Sequence, residues 1–294
     1  MVKPYVILIL AFFLIFSGCA TIYNPATGQK EFIFITTPTE VSIGKAVSAK
    51  VASQYKISND SEKNNRVREI GRKIAEVSDR KDLVYNFYVI EENDLNAFTS
   101  PGGYLYINSG LMDKATDDEL ACVIGHEVGH VAARHIAKKM QTQIGYTVLM
   151  NIAMRKAGLK DMQTAASISY NLIMLGYSRG DELLADRLGV KYAHKAGYDP
   201  YAMISFLKKL KDSSKNDIGP VFLRSHPYAS DRIKMIEKEI PGIIDKADKK
   251  VEAAVIATSA ASNKESPRKV MCPECRRIFT GATNYCPYDG TKLE

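Results

Sequence analysis

From Thr39 to about Lys56, and again from Glu62 to Ser78, apolar residues recur every three or four positions among charges, with Val67, Ile70, Ile74 and Val77 forming the second stripe. That spacing lines one face of a helix and predicts two amphipathic helices. The period then changes. "LVYNFYVIEE", from Leu83 to Glu92, alternates and is rich in aromatic and branched residues, and "GGYLYINSG", from Gly102 to Gly110, repeats the pattern after a Pro-Gly-Gly turn. Both predict strands. Thr116 followed three residues later by Glu119 is a capping box that opens a long apolar helix. Beyond it the chain is helical almost throughout, in "DMQTAASISYNLIMLGYS", "DELLADRLGVKYAHKAG", "DPYAMISFLKKLKD" and "YASDRIKMIEKEI". The order of elements predicts an α+β fold, mostly helical with a small β-sheet.

Two stretches break this pattern. "IGYTVLMNIAM" is apolar, but Arg155 and Lys156 close it before it reaches the roughly 20 residues that a membrane span needs. It reads as a packed helix or as a hairpin resting on a lipid surface. Residues 251–269 turn to Ala, Ser, Asn and Pro, a helix end running into a linker. A cysteine-bearing tail, 270–294, follows. No internal repeat is evident.

The chain begins "MVKPYVILILAFFLIFSGCA", one lysine followed by an apolar run from Tyr5 to Phe16 and then small residues. This is the build of an export signal. Residues 1–18 are therefore expected to be a signal peptide of the lipoprotein type, with Cys19 as the lipidated first residue of the mature chain. Phe16, three before Cys19, departs from the aliphatic residue usual in that signal, and the competing reading is an uncleaved anchor. In either case residues 19–250 form one sizeable domain outside the cytoplasm. The net charge of +7 is dispersed along the chain, which implies at most a mild preference for anionic surfaces, and no nucleic-acid motif is present.

Three of the five histidines fall within "ELACVIGHEVGHVAARHIAKK". Positions four apart share a helix face, so His126 and His130 can direct both imidazoles at one ion. Glu127, turned partly aside, suits a carboxylate that takes a proton from metal-bound water. The alternative, two histidines satisfied in an ordinary core, must account for Gly125 and Gly129 inside the helix, where each costs about 1 kcal/mol relative to alanine. Glycines there let another element approach closely. A hydrolytic zinc needs a third protein ligand and an open position. "SRGDELLADRLG" offers Glu182, with Asp186 one turn later able to fix a ligand histidine's tautomer. Glu119 and His135 compete as ligands, but Glu119 is used as the cap and His135 falls off the ligand face. His194, close to Gly197, reads as a solvated or end-capping histidine, and Cys122 as a small buried apolar residue.

The His-Glu-x-x-His helix at 126–130, Glu-x-x-Ala-Asp at 182–186 preceded by Ser178-Arg179, "NAFTSPGGYLYINSGL" before the zinc helix and "SHPYASDRI" after it together resemble the HtpX and CAAX prenyl endopeptidase family of zinc metallopeptidases, over roughly residues 40–240. The resemblance implies a zincin-like fold, with zinc bound by His126, His130 and Glu182. It also implies Glu127 as the catalytic acid and base, and endopeptidase activity in membrane-associated quality control. His226 matches a position near the metal assigned to substrate or transition-state contact; the plainer alternative is a loop histidine before a helix. The extra membrane spans of the integral members are missing, so the chain resembles the family's exported, lipid-anchored bacterial branch, facing the periplasm or exterior. The substrates implied are unfolded envelope polypeptides. The strand at Gly103, Tyr104, Leu105 and Tyr106 is expected to pair, as an edge, with an extended substrate backbone; alternatively Leu105 and Ile107 simply pack inward.

The tail carries Cys272-x-x-Cys275, then Cys286 and Asp289, resembling a zinc ribbon with its fourth cysteine replaced by aspartate. A second, structural zinc would fold this appendage, whereas an oxidising compartment would favour a disulfide. Two further functions compete with peptidase activity: a chaperone-like client-binding module, against which Glu127 argues because binding needs no acid or base, and hydrolysis of a small molecule.

Overall fold

The computed structural model describes residues 21–143, 158–213, 221–262, 269–271, 273–274, 276 and 278–280. Cys19, the stretch 144–154 and the tail residues Cys272, Cys275, Cys286 and Asp289 lie outside them. The chain divides into two compact units, Met1–Ile244 and Asp245–Glu294.

The first unit opens with an antiparallel hairpin, β1 (Thr21–Asn24) and β2 (Gln29–Phe32), turning through Gly28 at φ +70°. Helix α1 (Thr37–Gln54) follows, with proline in its first turn. Helix α2 (Ser61–Val77) starts where Asp60 accepts a hydrogen bond from the Lys63 backbone at 3.1 Å, and its stripe Val67, Ile70 and Ile74 is buried. Three strands come next, β3 (Asn86–Ile90), β4 (Ala97–Ser100) and β5 (Tyr104–Asn108), in the order β3-β5-β4, with β3 parallel and β4 antiparallel to β5.

This topology corrects the expectation for Gly103, Tyr104, Leu105 and Tyr106. Their strand is the middle one, and β3 and β4 take its backbone hydrogen bonds on both edges, so it has no edge to offer a substrate. Leu105 and Ile107 point into the core. The alternation that marked β5 as a strand carries no information about its neighbours. Its partner β4, which "NAFTS" did not announce, is one of the two end strands, β3 being the other.

Short α3 (Ser109–Lys114) leads to α4 (Asp117–Ala132), opened by the predicted box: Thr116 Oγ1 accepts from Glu119 N at 3.2 Å and Glu119 Oε2 from Thr116 N at 3.0 Å. Every residue of α4 from Glu119 to Ala132 is buried, which marks a helix enclosed on all sides. Helices α5 (His135–Gln143), α6 (Leu159–Met174), α7 (Arg179–Lys195), α8 (Ala202–Ser213), short α9 (Val221–Ser225) and long α10 (Ala229–Ser262) follow it. One apolar cluster joins α2, α4, α7, α8 and α10; another joins α1, β4, α5 and α6. The protein is thus mostly helical with small sheets.

In the second unit α10 continues to Ser262, well into the stretch expected as a linker, and β6 (Lys269–Met271) pairs antiparallel with β7 (Ile278–Thr280). No helix among the described residues is long and apolar enough to cross a membrane.

Candidate metal centre

Two glycines bring α4 and α7 together. A Cβ on Gly125 would stand 2.8 Å from the Gly189 carbonyl oxygen, and one on Gly189 would stand 2.8 Å from the His126 backbone nitrogen. Side chains larger than hydrogen would hold the helices apart. Backbone contact at this crossing puts Glu182 and Asp186 of α7 against His126 and His130 of α4. The glycines that looked costly inside a helix are explained by this approach. Glu182 also sits in the first turn of α7, capped by Ser178, where the helix dipole favours a carboxylate.

Four side chains point donor atoms at one spot: His126, His130, Glu182 and His226, all buried, with those atoms within 4.8 Å of one another. His126 Nε2 lies 3.0 Å from His130 Nε2 and 3.6 Å from Glu182 Oε2, and His130 Nε2 lies 3.5 Å from Glu182 Oε1. An ion with bonds of about 2.0–2.1 Å to three or four donors spaces them about 3.3 Å apart. The observed separations bracket that value, and imidazole nitrogen with carboxylate oxygen is a donor set suited to zinc. Both carboxylate oxygens of Glu127 are buried without a hydrogen-bond partner beside this cluster, as expected where a further species belongs.

The supporting contacts fix how the ligands present themselves. His126 Nδ1 donates to Asp186 Oδ1 at 2.8 Å, which leaves its Nε2 lone pair facing the cluster. Arg232, buried on α10, donates to both oxygens of Asp186, at 2.6 and 2.7 Å, and its Nη1 lies 2.8 Å from Glu182 Oε2. One guanidinium therefore holds two acidic side chains in place. Burial opposes ionisation of Asp186, yet Arg232 beside it holds its carboxyl below the usual range. His130 Nδ1 stands 2.8 Å from His135 Nδ1, and His135 Nε2 is 3.5 Å from Asp181. Burial pushes His135 down to about 4, so it stays neutral and its Nδ1 lone pair can accept a hydrogen bond from His130 Nδ1–H. Glu127 is pushed upward from the usual carboxylate value, again by burial.

His226, just after α9, lies closer than expected. Its Nδ1 is 3.0 Å from Glu182 Oε1 and 3.2 Å from His126 Nε2, while its Nε2 is 3.3 Å from Glu127 Oε1. Donating from Nδ1, it orients Glu182; deprotonated there, the same nitrogen completes the donor set. Phe222, four residues earlier, stacks on it at 4.3 Å.

Two members of the site, Arg232 and Tyr177, were not identified from sequence, and a third, His135, was weighed as a ligand and set aside. Arg232 had a readable signal, since it shares an i, i+4, i+8 face with buried Ile236 and Ile240, where a charge needs a partner. His135 was set aside by helical spacing from His130, which does not apply because α4 ends at Ala132 and Arg134 turns the chain at φ +57°; it stays outside the donor cluster but supports His130 from behind. Tyr177 follows Gly176, which at φ +76° packs against the Ser225 carbonyl. Its ring stacks on His130 at 3.7 Å beneath the Lys139 ammonium at 4.5 Å, and its buried hydroxyl has no partner. His194, in the last turn of α7, is outside the cluster, and Cys122 is a buried free thiol donating weakly to Asp199 O at 3.6 Å.

Residues 61–240 match the family described as "Peptidase family M48". The chain is similar to the beta-barrel assembly-enhancing protease of Yersinia pestis, 31% identical over 56% of this chain and 36% of that protein. To the protein of the same name in Escherichia coli it is 26% identical, over 71% and 45% respectively. The mitochondrial metalloendopeptidase OMA1 of Schizosaccharomyces pombe is 26% identical over 74% of this chain and 66% of its own length. The chain thus spans less than half the length of those two bacterial proteins.

Proposed function

The chain belongs to peptidase family M48, and from that we propose that it is a zinc-dependent endopeptidase hydrolysing peptide bonds of unfolded or membrane-associated proteins in the bacterial cell envelope, held to a membrane by a lipid on Cys19. The observation that carries this reading is the convergence of His126, His130 and Glu182 on one point beside the buried Glu127 carboxylate, whose oxygens have no hydrogen-bond partner. Homologues named as proteases and as a metalloendopeptidase support it.

In this reading His126 Nε2, His130 Nε2 and a Glu182 oxygen hold the zinc. The ion, when bound, supplies a Lewis acid that polarises the peptide carbonyl and acidifies water. Glu127 takes the proton of the attacking water on a carboxylate oxygen and delivers it to the departing amine nitrogen; a pKa raised by burial suits both transfers. His226 Nε2 and the Tyr177 hydroxyl are the donors left to meet negative charge as it develops on the carbonyl oxygen. An extended substrate pairs along β4, the end strand of the sheet that packs against the metal-centre helix α4. A cavity of about 260 Å³ between Phe98 of β4, Ile173 and Met174 of α6, and Val221 and Ser225 of α9 flanks that strand.

Residues 270–294 are assigned to a small module holding a second zinc through Cys272, Cys275, Cys286 and Asp289. Its support is the β6–β7 pairing, whose connection contains Cys272 and Cys275. The HtpX-like and lipoprotein affinities rest on the sequence motifs. The whole reading is tested by incubating the full-length protein with denatured casein: cleavage that a chelator abolishes and zinc restores is expected. Retention of casein without cleavage at any zinc concentration would instead favour the client-binding module.

A further inference from the structure

Among the described residues, one face of the β1–β2 hairpin is left exposed. Thr21 pairs with Phe32 and Tyr23 with Lys30. Residues directly opposite in an antiparallel pair share a side of the sheet, so Thr21, Tyr23, Lys30 and Phe32 project together. Phe34, two residues further on, continues that side, and its ring meets Phe32 edge-on at 4.4 Å. The reverse side is the one the protein uses. Asn24 and Ile33 are buried, and Glu31 is held by Lys138 at 2.6 Å.

The outward set has an unusual composition for a face in water. Tyr23 is 62% exposed, Phe32 56% and Phe34 46%, and the one charge among them is Lys30. A sheet with one solvated side normally turns polar residues outward; here aromatics occupy those places. Scattered single apolar residues need no explanation, but two aromatics in ring contact with a third on the same side of the hairpin imply contact with something apolar.

The length of the preceding chain identifies that contact. The apolar run Tyr5–Phe16 ends five residues before Thr21, and an extended chain covers about 3.5 Å per residue, so the hairpin starts within about 17 Å of it. Measured from Cys19 the reach is about 7 Å. A segment that enters a bilayer therefore brings this face to the headgroup layer, before any freely diffusing partner. Aromatic rings flanked by lysine are the side chains that settle at a membrane interface.

We propose that the β1–β2 hairpin is a membrane-docking surface: Tyr23, Phe32 and Phe34 enter the interfacial layer of a bilayer and Lys30 meets anionic headgroups, seating the catalytic unit on the lipid instead of leaving it on a tether. This rests on the reading that the N-terminal segment reaches a membrane, through either the Cys19 lipid or the apolar run.

The chain contains no tryptophan, so a single substitution supplies a clean reporter. Full-length Phe32→Trp and Phe34→Trp proteins are bound to phosphatidylcholine/phosphatidylglycerol vesicles containing brominated acyl chains, with Tyr201→Trp, exposed before α8, as comparator. Docking predicts that emission from both hairpin reporters shifts to the blue and is quenched by the bromolipid, less so without the anionic lipid, while the comparator changes little. Flotation with the vesicles, but with water-like, unquenched hairpin emission, overturns the docking surface and leaves the anchor intact. Failure to float overturns both. A blue shift that appears without vesicles and grows with protein concentration assigns the face to a second copy of the chain and also overturns the proposal.

Discussion

Asp186 Oδ1 accepts the Nδ1 proton of His126 at 2.8 Å, across a helix crossing and 60 residues of sequence. That bond sets which nitrogen His126 presents to the donor cluster, and Arg232 holds Asp186 in turn. Losing such an outer partner typically weakens metal affinity by roughly 10–100-fold. Asp186→Asn is therefore expected to lower zinc affinity by about that factor, measured by competition with a graded chelator. Affinity equal to the parent's would separate His126 orientation from Asp186.

The crossing itself depends on Gly125 and Gly189. Gly125→Ala gains helix propensity of about 1 kcal/mol, but its methyl group meets the Gly189 backbone at 2.8 Å, and overpacking costs about 1–3 kcal/mol or more. Backbone cannot give way as a side chain can, so the clash should win, lowering the melting temperature and zinc content together. Gly180→Ala, where the nearest atom is a Ser178 hydroxyl at 3.9 Å, should change neither. Equal melting curves for the two variants would contradict the close-approach account.

Tyr177 stacks on His130 while its hydroxyl lacks a partner. If that hydroxyl meets charge developing in the reaction, Tyr177→Phe keeps the stack and loses the donor. The expected result is a fall in kcat of roughly 10²–10³, the scale of one oxyanion donor, with KM and zinc content nearly unchanged. A normal kcat would leave Tyr177 a packing role alone.

For the tail, the full-length protein should carry about two zinc ions and a protein ending at Ser262 about one, with peptidase activity largely retained. The aspartate ligand should make the tail site the first to empty under mild chelation. A disulfide among Cys272, Cys275 and Cys286 in non-reducing mass spectrometry, together with a single zinc, would contradict the second site.

What the sequence disclosed follows from which interactions are local. Helical spacing placed His126 and His130 on one face, and the Thr116–Glu119 box located the start of α4, because both act within a turn or two. Gly125 betrayed a close neighbour without naming it. Strand order could not be read in the same way: the Tyr104–Asn108 alternation is the same for a middle strand as for an end strand, and the pairings that decide it are long-range. The supporting place of His135 was not readable because the helix is interrupted at Arg134, which resets the helical phase, and Tyr177 was missed because its neighbours converge from α4, α5 and the residue after α9.

In the proposed mechanism Glu127 moves protons and does not hold the metal. Glu127→Gln preserves size, and both parent oxygens lack hydrogen-bond partners, so the fold has little to lose. Zinc content and casein cleavage measured on one preparation of this full-length variant give the most direct test. Zinc equal to the parent's and cleavage reduced by at least about 10²-fold are expected. Loss of zinc, or cleavage at the parental rate, would contradict that mechanism.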